Sequence, residues 1–179
     1  MWIFGYGSLI WRPGFAFEAR QPGLIRGFRR VFYQGSPDHR GVPNAPGRVV
    51  TLLPDPGATT FGVAFKLGAS ESARILQQLD VREQGGYERH LLPVFAPDQN
   101  APLIDEALVY LAGVDNPHYL GEAPVEAIAD HVLRSHGPSG PNTEYVLRLA
   151  EALRAEGAHD PHVFAIERAL RQLLEDSAL

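Results

Sequence analysis

Cysteine is absent from this sequence of 179 residues. Without thiols the chain has no disulfides, thiolate metal ligands or cysteine nucleophiles, and this composition suits a reducing compartment. Residues 1–5 lead straight into an apolar run without the basic segment of a secretory signal. No stretch approaches the roughly 20 apolar residues that span a bilayer. We therefore expect a cytoplasmic protein without a membrane segment.

Lysine is nearly absent as well, because Lys66 is the single lysine among 16 basic residues. The formal net charge is −5 at pH 7, and the arginines are scattered, with Arg26, Arg29 and Arg30 as one short group. Proteins that bind nucleic acids gather basic residues into a patch or tract. We therefore predict no nucleic-acid partner.

The overall composition is that of an ordinary globular protein. Hydrophobic residues make up 45% of the chain and charged residues 21%, which excludes the disordered, collagen-like and coiled-coil classes. A chain of this length is also within the size of one domain with its own core. The sequence predicts a single domain over residues 1–179.

Strand-like segments fill the first two thirds of the chain, where short apolar runs are separated by glycine, proline and aspartate. The predicted strands cover residues 2–6, 24–34, 48–53, 60–67, 87–95 and 107–112. One helix is predicted over residues 71–79 with Ser70 as its cap, and another over residues 125–135, ended by Gly137.

Two further helices are predicted in the last third. A stripe with the spacing of one buried helix face consists of Val146, Leu149, Ala150 and Leu153. Gly157 ends this helix, and Asp160 followed by Pro161 begins the next, whose apolar stripe consists of Val163, Ile166, Leu170 and Leu173. Strands first and helices last indicate an α+β fold, with a curled, partly closed sheet and helices at one side.

The segment Gly5-Tyr6-Gly7-Ser8-Leu9 follows the first predicted strand. Its glycines allow a sharp turn and a close approach of the backbone to a ligand, and exposed N–H groups in such a turn bind a carboxylate or an oxyanion. A glycine-eased turn that binds nothing also fits these residues. The glycine motifs that bind phosphate are not matched, and Ser8 lacks the second glycine of a nucleophile elbow.

Glu83 lies in a glycine-flanked segment between the first predicted helix and a strand, Asp80-Val81-Arg82-Glu83-Gln84-Gly85-Gly86-Tyr87. A scaffold can aim a loop carboxylate of this kind. As a general base Glu83 needs a pKa raised from about 4.3 toward neutrality, which an apolar pocket provides. The segment also fits a solvated glutamate paired with Arg82, so both interpretations stay open at this point.

The adjacent Asp38 and His39 are not expected to act as a catalytic pair. Neighbours on an extended chain point to opposite faces, so one cannot orient the other as a triad requires. The proline- and glycine-rich segment 37–47 that contains them is predicted to be a surface flap. His159 and His162 are three residues apart but have no evident third ligand, so no metal site is predicted.

Asn142 precedes the third helix and is predicted to be its N-cap. Tyr145 follows in the first turn, where its hydroxyl either reaches a cleft or lies in the core. The residues do not decide between these two placements.

Taken together, these segments resemble the ChaC-like family of γ-glutamylcyclotransferases, in its glutathione-specific branch, from Trp2 to about Ala165. The segments that carry the resemblance are Phe4-Gly5-Tyr6-Gly7-Ser8-Leu9-Ile10-Trp11, Gly35 to Gly47, Pro46-Gly47-Arg48-Val49-Val50-Thr51-Leu52, Leu79 to Tyr87, Asp115-Asn116-Pro117 and Gly137 to Tyr145.

The resemblance implies a fold, a site and roles for named residues. The family fold is a small mixed β-barrel with flanking helices. The catalytic proton carrier falls on Glu83, and the substrate-binding residues are Phe4, Gly5, Tyr6, Gly7, Ser8, Leu9 and Tyr145. No metal and no cofactor is implied.

The implied reaction is the cyclisation of glutathione, in which the α-amine attacks its own γ-carbonyl and releases 5-oxoproline and cysteinylglycine. Aligned intramolecular attack is worth effective molarities of roughly 10⁵–10⁸ M, so no external nucleophile is needed. Glu83 is expected to take the ammonium proton and return it to the leaving nitrogen. The N–H groups near Gly7 and Ser8 are expected to hold the oxyanion.

Two other functions stay open. The same cyclisation could act on γ-glutamyl amino acids or γ-glutamylamines, which Glu83 cannot distinguish from glutathione. The chain could also be a non-catalytic module that binds a small ligand and regulates a transport partner.

Overall fold

The structure, a computed structural model, describes residues 1–82 and 85–177. Its strands are β1 (Trp2–Gly5), β2 (Ala19–Ser36), β3 (Gly47–Lys66), β4 (Glu88–Phe95), β5 (Pro102–Leu111), β6 (His136–Gly137) and β7 (Gly140–Pro141). Its helices are α1 (Ser72–Arg82), α2 (Val125–Arg134), α3 (Asn142–Ala155) and α4 (Pro161–Asp176). Within the described ranges, no helix has both the length and the apolar character needed to cross a membrane.

Strands β1 to β5 form a closed barrel with the neighbour order β1-β3-β2-β4-β5. β1 runs antiparallel to β3, and β4 runs antiparallel to both β2 and β5. A parallel pairing of Ile3 in β1 with Leu108 in β5 completes the ring. The α+β class and the small mixed barrel with flanking helices are therefore confirmed. The sheet is closed rather than partly closed, because this pairing joins β1 to β5 and leaves neither as a free edge.

β3 is a single strand of 20 residues, although the sequence predicted two strands, 48–53 and 60–67, with a turn between them. The turn was predicted because proline, aspartate and glycine, here Pro54-Asp55-Pro56-Gly57, separate the two apolar runs. Both prolines are exposed in the structure, and proline is tolerated where the strand faces solvent. The extended backbone therefore continues through the proline-rich segment.

The described residues form two compact units. One is built from Met1–Arg29 with Leu52–Pro117, and the other from Arg30–Thr51 with the described part of His118–Leu179. The first unit contains β1, β4, β5 and α1 entirely. Its core is a cluster of buried residues from the barrel and α1, namely Ile3, Leu67, Ile75, Leu79, Leu108 and Tyr110. Burial of this shared face fixes α1 against the barrel strands.

Helix α1 begins at Ser72, one residue after the predicted start at residue 71, so Glu71 and not the predicted cap Ser70 directly precedes the helix. The carbonyl of Gly68 accepts bonds from the Ser72 amide at 3.1 Å and the Ser72 hydroxyl at 2.8 Å. Ser72 thus satisfies its own polar groups at the first turn. The helix also runs past the predicted end at residue 79, as far as Arg82.

The second unit contains α2, α3 and α4. The predicted apolar stripes of α3 and α4 are buried, except for the half-buried Leu173. Ile128, Leu149, Leu153 and Ile166 are all fully buried. Asp160 caps α4 as predicted, because its carboxylate accepts a bond of 3.0 Å from the Val163 amide. Gly157 follows α3 with φ of +68°, a conformation that favours glycine at a helix end.

Asn142 was wrongly predicted to be an N-cap. It is the first residue of α3 and makes no capping bond, and Pro141 occupies the cap position. The fully buried Asn142 side chain instead binds the backbone of Arg48, accepting from its N–H at 2.6 Å and donating to its C=O at 2.8 Å. The amide satisfies both backbone groups of one strand residue, which a helix cap could not do.

We expect Asn142→Ala to lower the free energy of unfolding by about 2–4 kcal/mol, because it leaves a buried N–H and a buried C=O of Arg48 without partners. Urea unfolding followed by circular dichroism measures this loss. The neighbouring Thr143→Ala, at a half-buried position, is the control and should change stability far less. Equal effects of the two substitutions would contradict the assigned role of Asn142.

Candidate active site

The predicted Gly5–Leu9 loop begins where β1 ends. A short 3₁₀ turn over Ser8–Ile10 follows, closed by a bond of 3.0 Å from the Ile10 amide to the Gly7 carbonyl. A Cβ atom added at Gly5 would lie only 2.5 Å from the Cβ of Leu9. The turn therefore folds back directly over the end of the strand, and the absence of a side chain at Gly5 permits this.

Phe4 and Tyr6 are buried residues that anchor the Gly5–Leu9 loop to the rest of the first unit. Phe4 is 2% exposed, and a Cβ added at Gly62 would run into its ring. The Tyr6 hydroxyl donates a bond of 2.7 Å to the carbonyl of Tyr110. The half-buried part of the predicted loop consists of Gly7, Ser8 and Leu9.

Arg82, the last residue of α1, connects the helix to this loop. Its Nη2 atom donates a bond of 2.6 Å to the hydroxyl of Ser8. The predicted catalytic residue Glu83 is the next residue of the chain, but it lies outside the described residues. The structure thus brings the residue directly before Glu83 into contact with the predicted substrate loop. The sequence interpretation that paired Arg82 with Glu83 did not foresee this bond.

Asn116 holds the chain on the other side of Glu83. Its Nδ2 atom donates to the carbonyls of Gly85 at 2.9 Å and Gly86 at 2.8 Å. Gly86 has φ of +85°, and a Cβ there would meet this same Nδ2 at 2.8 Å. We missed this anchoring role from sequence, and the only signal for it was the segment Asp115-Asn116-Pro117 in the family resemblance.

Asp80, Arg89 and Tyr110 form a polar network that is linked to the Gly5–Leu9 loop, because the backbone carbonyl of Tyr110 accepts the bond from Tyr6. Asp80 accepts bonds from Arg89 Nε at 2.9 Å and from the Tyr110 hydroxyl at 2.8 Å. The bond from Arg89, followed by that from Tyr110, lowers the pKa of Asp80. Burial, followed by the bond to Asp80, raises the pKa of Tyr110 to about 12. These shifts favour the ionised form of Asp80 and the protonated form of Tyr110 near neutral pH.

Tyr145, the remaining predicted substrate-binding residue, belongs to the second unit. It is the fourth residue of α3 and is 6% exposed. Its ring meets Phe32 edge-on at 6.1 Å between centroids, and the Arg40 guanidinium lies 5.8 Å from its centroid. Most of the Tyr145 side chain therefore packs in the core of this unit, and its contact with a substrate stays a prediction.

Asp38 and His39 differ from the sequence expectation. The segment is bent rather than extended, so the Asp38 carboxylate lies 3.8 Å from His39 Nε2 instead of on the opposite face. His39 Nδ1 is also 3.2 Å from the Ser139 hydroxyl. Asp38 and His39 are each 45% exposed, and such solvated side chains are not held in the fixed orientation that a triad needs.

The histidines considered as metal ligands have other partners. His162 Nε2 accepts a bond of 3.1 Å from the Phe32 amide, and its ring packs against Tyr33. His159 packs edge-on against Phe164. No group of three potential metal ligands occurs among residues 1–82 and 85–177.

A family comparison and two sequence relatives cover nearly the whole chain. The model of the family described as "ChaC-like protein" matches residues 1–173. The chain is 47% identical to glutathione-specific gamma-glutamylcyclotransferase 1 of Homo sapiens, over 97% of this chain and 80% of that protein. It is 45% identical to gamma-glutamylcyclotransferase 2-3 of Arabidopsis thaliana, over 99% of this chain and 92% of that protein.

Solved structures of similar fold agree with these relatives. A crystal structure of the γ-glutamyl cyclotransferase specific to glutathione from yeast, labelled with selenomethionine, has a TM-score of 0.88 to this chain. The two are 28% identical, and the match covers 96% of each chain. A second crystal structure of the yeast enzyme has a TM-score of 0.85 at 30% identity, covering 97% of this chain and 98% of that one.

Proposed function

The chain belongs to the ChaC-like family, and we propose that it is a γ-glutamylcyclotransferase that degrades glutathione to 5-oxoproline and cysteinylglycine. Relatives at 45–47% identity carry the name of this activity. The structural observation that supports it most is the bond from Arg82 to Ser8. It joins the Gly5–Leu9 loop to the residue that precedes the proposed proton carrier, Glu83.

The proposed reaction forms one bond and breaks one. The α-nitrogen of the γ-glutamyl group attacks the γ-carbonyl carbon and closes a five-membered lactam, and the bond from that carbon to the cysteine nitrogen then breaks. The α-nitrogen loses two protons, one before the attack and one as the lactam forms, and the leaving nitrogen gains two to become the ammonium group of cysteinylglycine. Glu83 carries protons from the first nitrogen to the second, so no water or cofactor is consumed. Because attack is intramolecular, holding the folded substrate supplies much of the catalysis.

Charge develops on the γ-carbonyl oxygen during the attack, and the Gly5–Leu9 loop is suited to stabilise it. The first amide groups of a helical turn have no acceptor within that turn, so we expect the N–H groups of Gly7 and Ser8 to be available as donors. One donor of this kind is typically worth about 2.7–4 kcal/mol of transition-state stabilisation. The bond from Arg82 to the Ser8 hydroxyl holds the donors in place before the substrate binds.

We expect the purified protein to convert glutathione into equal amounts of 5-oxoproline and cysteinylglycine without added metal or cofactor. Mass spectrometry of both products measures the conversion. If the protein turns over γ-glutamylalanine or a γ-glutamylamine but not glutathione, the substrate is that compound and not glutathione. Binding of glutathione in calorimetry without either product would favour the non-catalytic module instead. The cytosol remains the predicted compartment, because a chain without cysteine suits a reducing environment.

A further inference from the structure

Arg48 lies on β3 within the second unit and is only 7% exposed. Its Nη1 atom donates to the carbonyls of Phe32 at 2.9 Å and Gly121 at 3.0 Å. Its backbone is held by the side chain of Asn142 through two further bonds. The position and plane of this guanidinium are therefore determined by its surroundings.

One edge of the Arg48 guanidinium makes no hydrogen bond to any residue that the structure describes. Nε is buried and has no hydrogen-bond partner, and in the part of the chain that the structure describes, only Nη1 of this side chain donates a bond. Nε and Nη2 together form the planar fork that binds a carboxylate through two parallel bonds. A buried N–H without a partner is rare in proteins and calls for an explanation.

Arg30 also has a buried Nε atom that makes no hydrogen bond, so what distinguishes Arg48 from the other buried arginines of the second unit is its lack of a carboxylate partner among the described residues. Arg30 is 4% exposed and donates to the carboxylate of Asp160 at 2.8 Å. Arg40 is 6% exposed and lies 3.3 Å from the carboxylate of Glu144. No acidic residue among the described residues forms such a pair with Arg48.

Among residues 1–82 and 85–177, the charge of Arg48 is thus buried without a carboxylate partner. Burial lowers the pKa of its guanidinium, and the nearby Tyr33 and Tyr119 act in the opposite direction. Arginine nevertheless stays protonated in proteins. Burial of an uncompensated charge is unfavourable, so an anionic ligand at the unused edge would be stabilising.

We propose that Arg48 is a carboxylate-binding residue, whose Nε and Nη2 atoms each donate one hydrogen bond to the same ligand carboxylate. An arginine edge binds carboxylate or phosphate through two parallel bonds. Two donors match the two oxygens of a carboxylate, whereas a phosphate group has three acceptor oxygens. The assignment itself depends only on contacts within the second unit. If it is the substrate that binds there, the inference also rests on the proposed function.

Two sources of the carboxylate are distinguished by their chemistry. Glutathione has two carboxylates, and the proposed cyclisation leaves one on 5-oxoproline and the other on cysteinylglycine. A free carboxylate unrelated to the substrate is the other source. Testing each product separately therefore shows which end of the substrate, if either, Arg48 binds.

The direct test is nuclear magnetic resonance of the arginine Nε–H groups in protein labelled with ¹⁵N-arginine, with the Arg48 signal assigned through bonds from its backbone amide. Acetate, 5-oxoproline, cysteinylglycine and phosphate are titrated separately, and glutathione is added to the Glu83→Gln variant so that it persists. We expect saturable movement of the Arg48 signal with at least one carboxylate, while the Arg30 signal stays in place. An Arg48 signal that no carboxylate moves, or that phosphate alone moves, would overturn the proposal.

Substitution gives a second and independent measurement. Arg48→Lys keeps the positive charge but removes the planar fork, so it should weaken carboxylate binding by about tenfold or more. If the ligand is the substrate, the KM for glutathione should rise by a similar factor with little change in kcat. Arg30→Lys, which alters a buried arginine already paired with Asp160, is the matched control and should not raise KM. A similar rise in KM for both variants would indicate a structural role.

The outcomes also separate this inference from the proposed function. If acetate shifts the Arg48 signal but no 5-oxoproline forms from glutathione, the carboxylate site at Arg48 is supported and the proposed function is contradicted. Formation of 5-oxoproline, with an Arg48 signal that no carboxylate moves, would support the function and remove the site.

Discussion

Glu83→Gln is expected to lower the kcat for glutathione cyclisation by about 10²–10⁴-fold, the usual contribution of a positioned general acid–base group. The α-amine of the substrate is nucleophilic only after it loses a proton, and the leaving nitrogen must gain one. A glutamine side chain has nearly the same size but cannot exchange protons near neutral pH. The effect should therefore appear in kcat, with the folded state preserved.

Formation of 5-oxoproline under saturating glutathione measures this effect, and thermal unfolding confirms that the variant is folded. Glu88→Gln is the matched control, because Glu88 lies five positions further along the chain and its side chain is 80% exposed. It should retain parental activity. If Glu83→Gln turns over glutathione within several-fold of the parent, Glu83 is not the proton carrier.

Gly5→Ala is expected to reduce kcat/KM by about 10²-fold or more, the effect of misplacing a catalytic group by about 1 Å. An added Cβ would lie 2.5 Å from the Cβ of Leu9, a contact that the chain must relieve by moving the 3₁₀ turn. The amide groups of Gly7 and Ser8 would move with it. Because these groups are proposed to hold the oxyanion, the loss should fall on the chemical step.

Gly113→Ala provides the control for this substitution, since a Cβ at Gly113 meets no atom within 4 Å. Both variants should be compared by steady-state kinetics and by thermal unfolding. We expect a loss of activity and a lower melting temperature only for Gly5→Ala. Parental kinetics for Gly5→Ala would show that the loop does not have to stay in this position for catalysis.

Several elements could be predicted from local sequence because their determinants are local. Asp160 and Pro161 begin α4, and Gly157 follows the end of α3 with a positive φ. Capping bonds, fixed backbone angles and helical periodicity all act within a few residues. The family resemblance went further and gave the barrel, which the periodicity of the strands alone suggested only as a partly closed sheet.

Predictions failed where a partner distant in the chain decided the outcome. Asparagine is a preferred N-cap residue, yet the side-chain amide of Asn142 binds Arg48, 94 positions away. Proline is typical of turns, yet β3 stays extended through Pro54 and Pro56. A local motif indicates several conformations or contacts that a residue could adopt, and tertiary packing determines which of them forms.

The sequence by itself determined the α+β class, the loop Gly5–Leu9 as a candidate binding segment and, through the family resemblance, Glu83 as the predicted proton carrier. Only the tertiary structure showed that Arg82 binds Ser8 and that Asn116 binds Gly85 and Gly86. It also showed that the buried Nε atom of Arg48 has no hydrogen-bond partner among the described residues. Periodicity and capping depend on neighbours in the chain, so a single sequence reveals them. Hydrogen bonds across 30 or 74 positions, and the burial of a charge, exist only after the chain has folded.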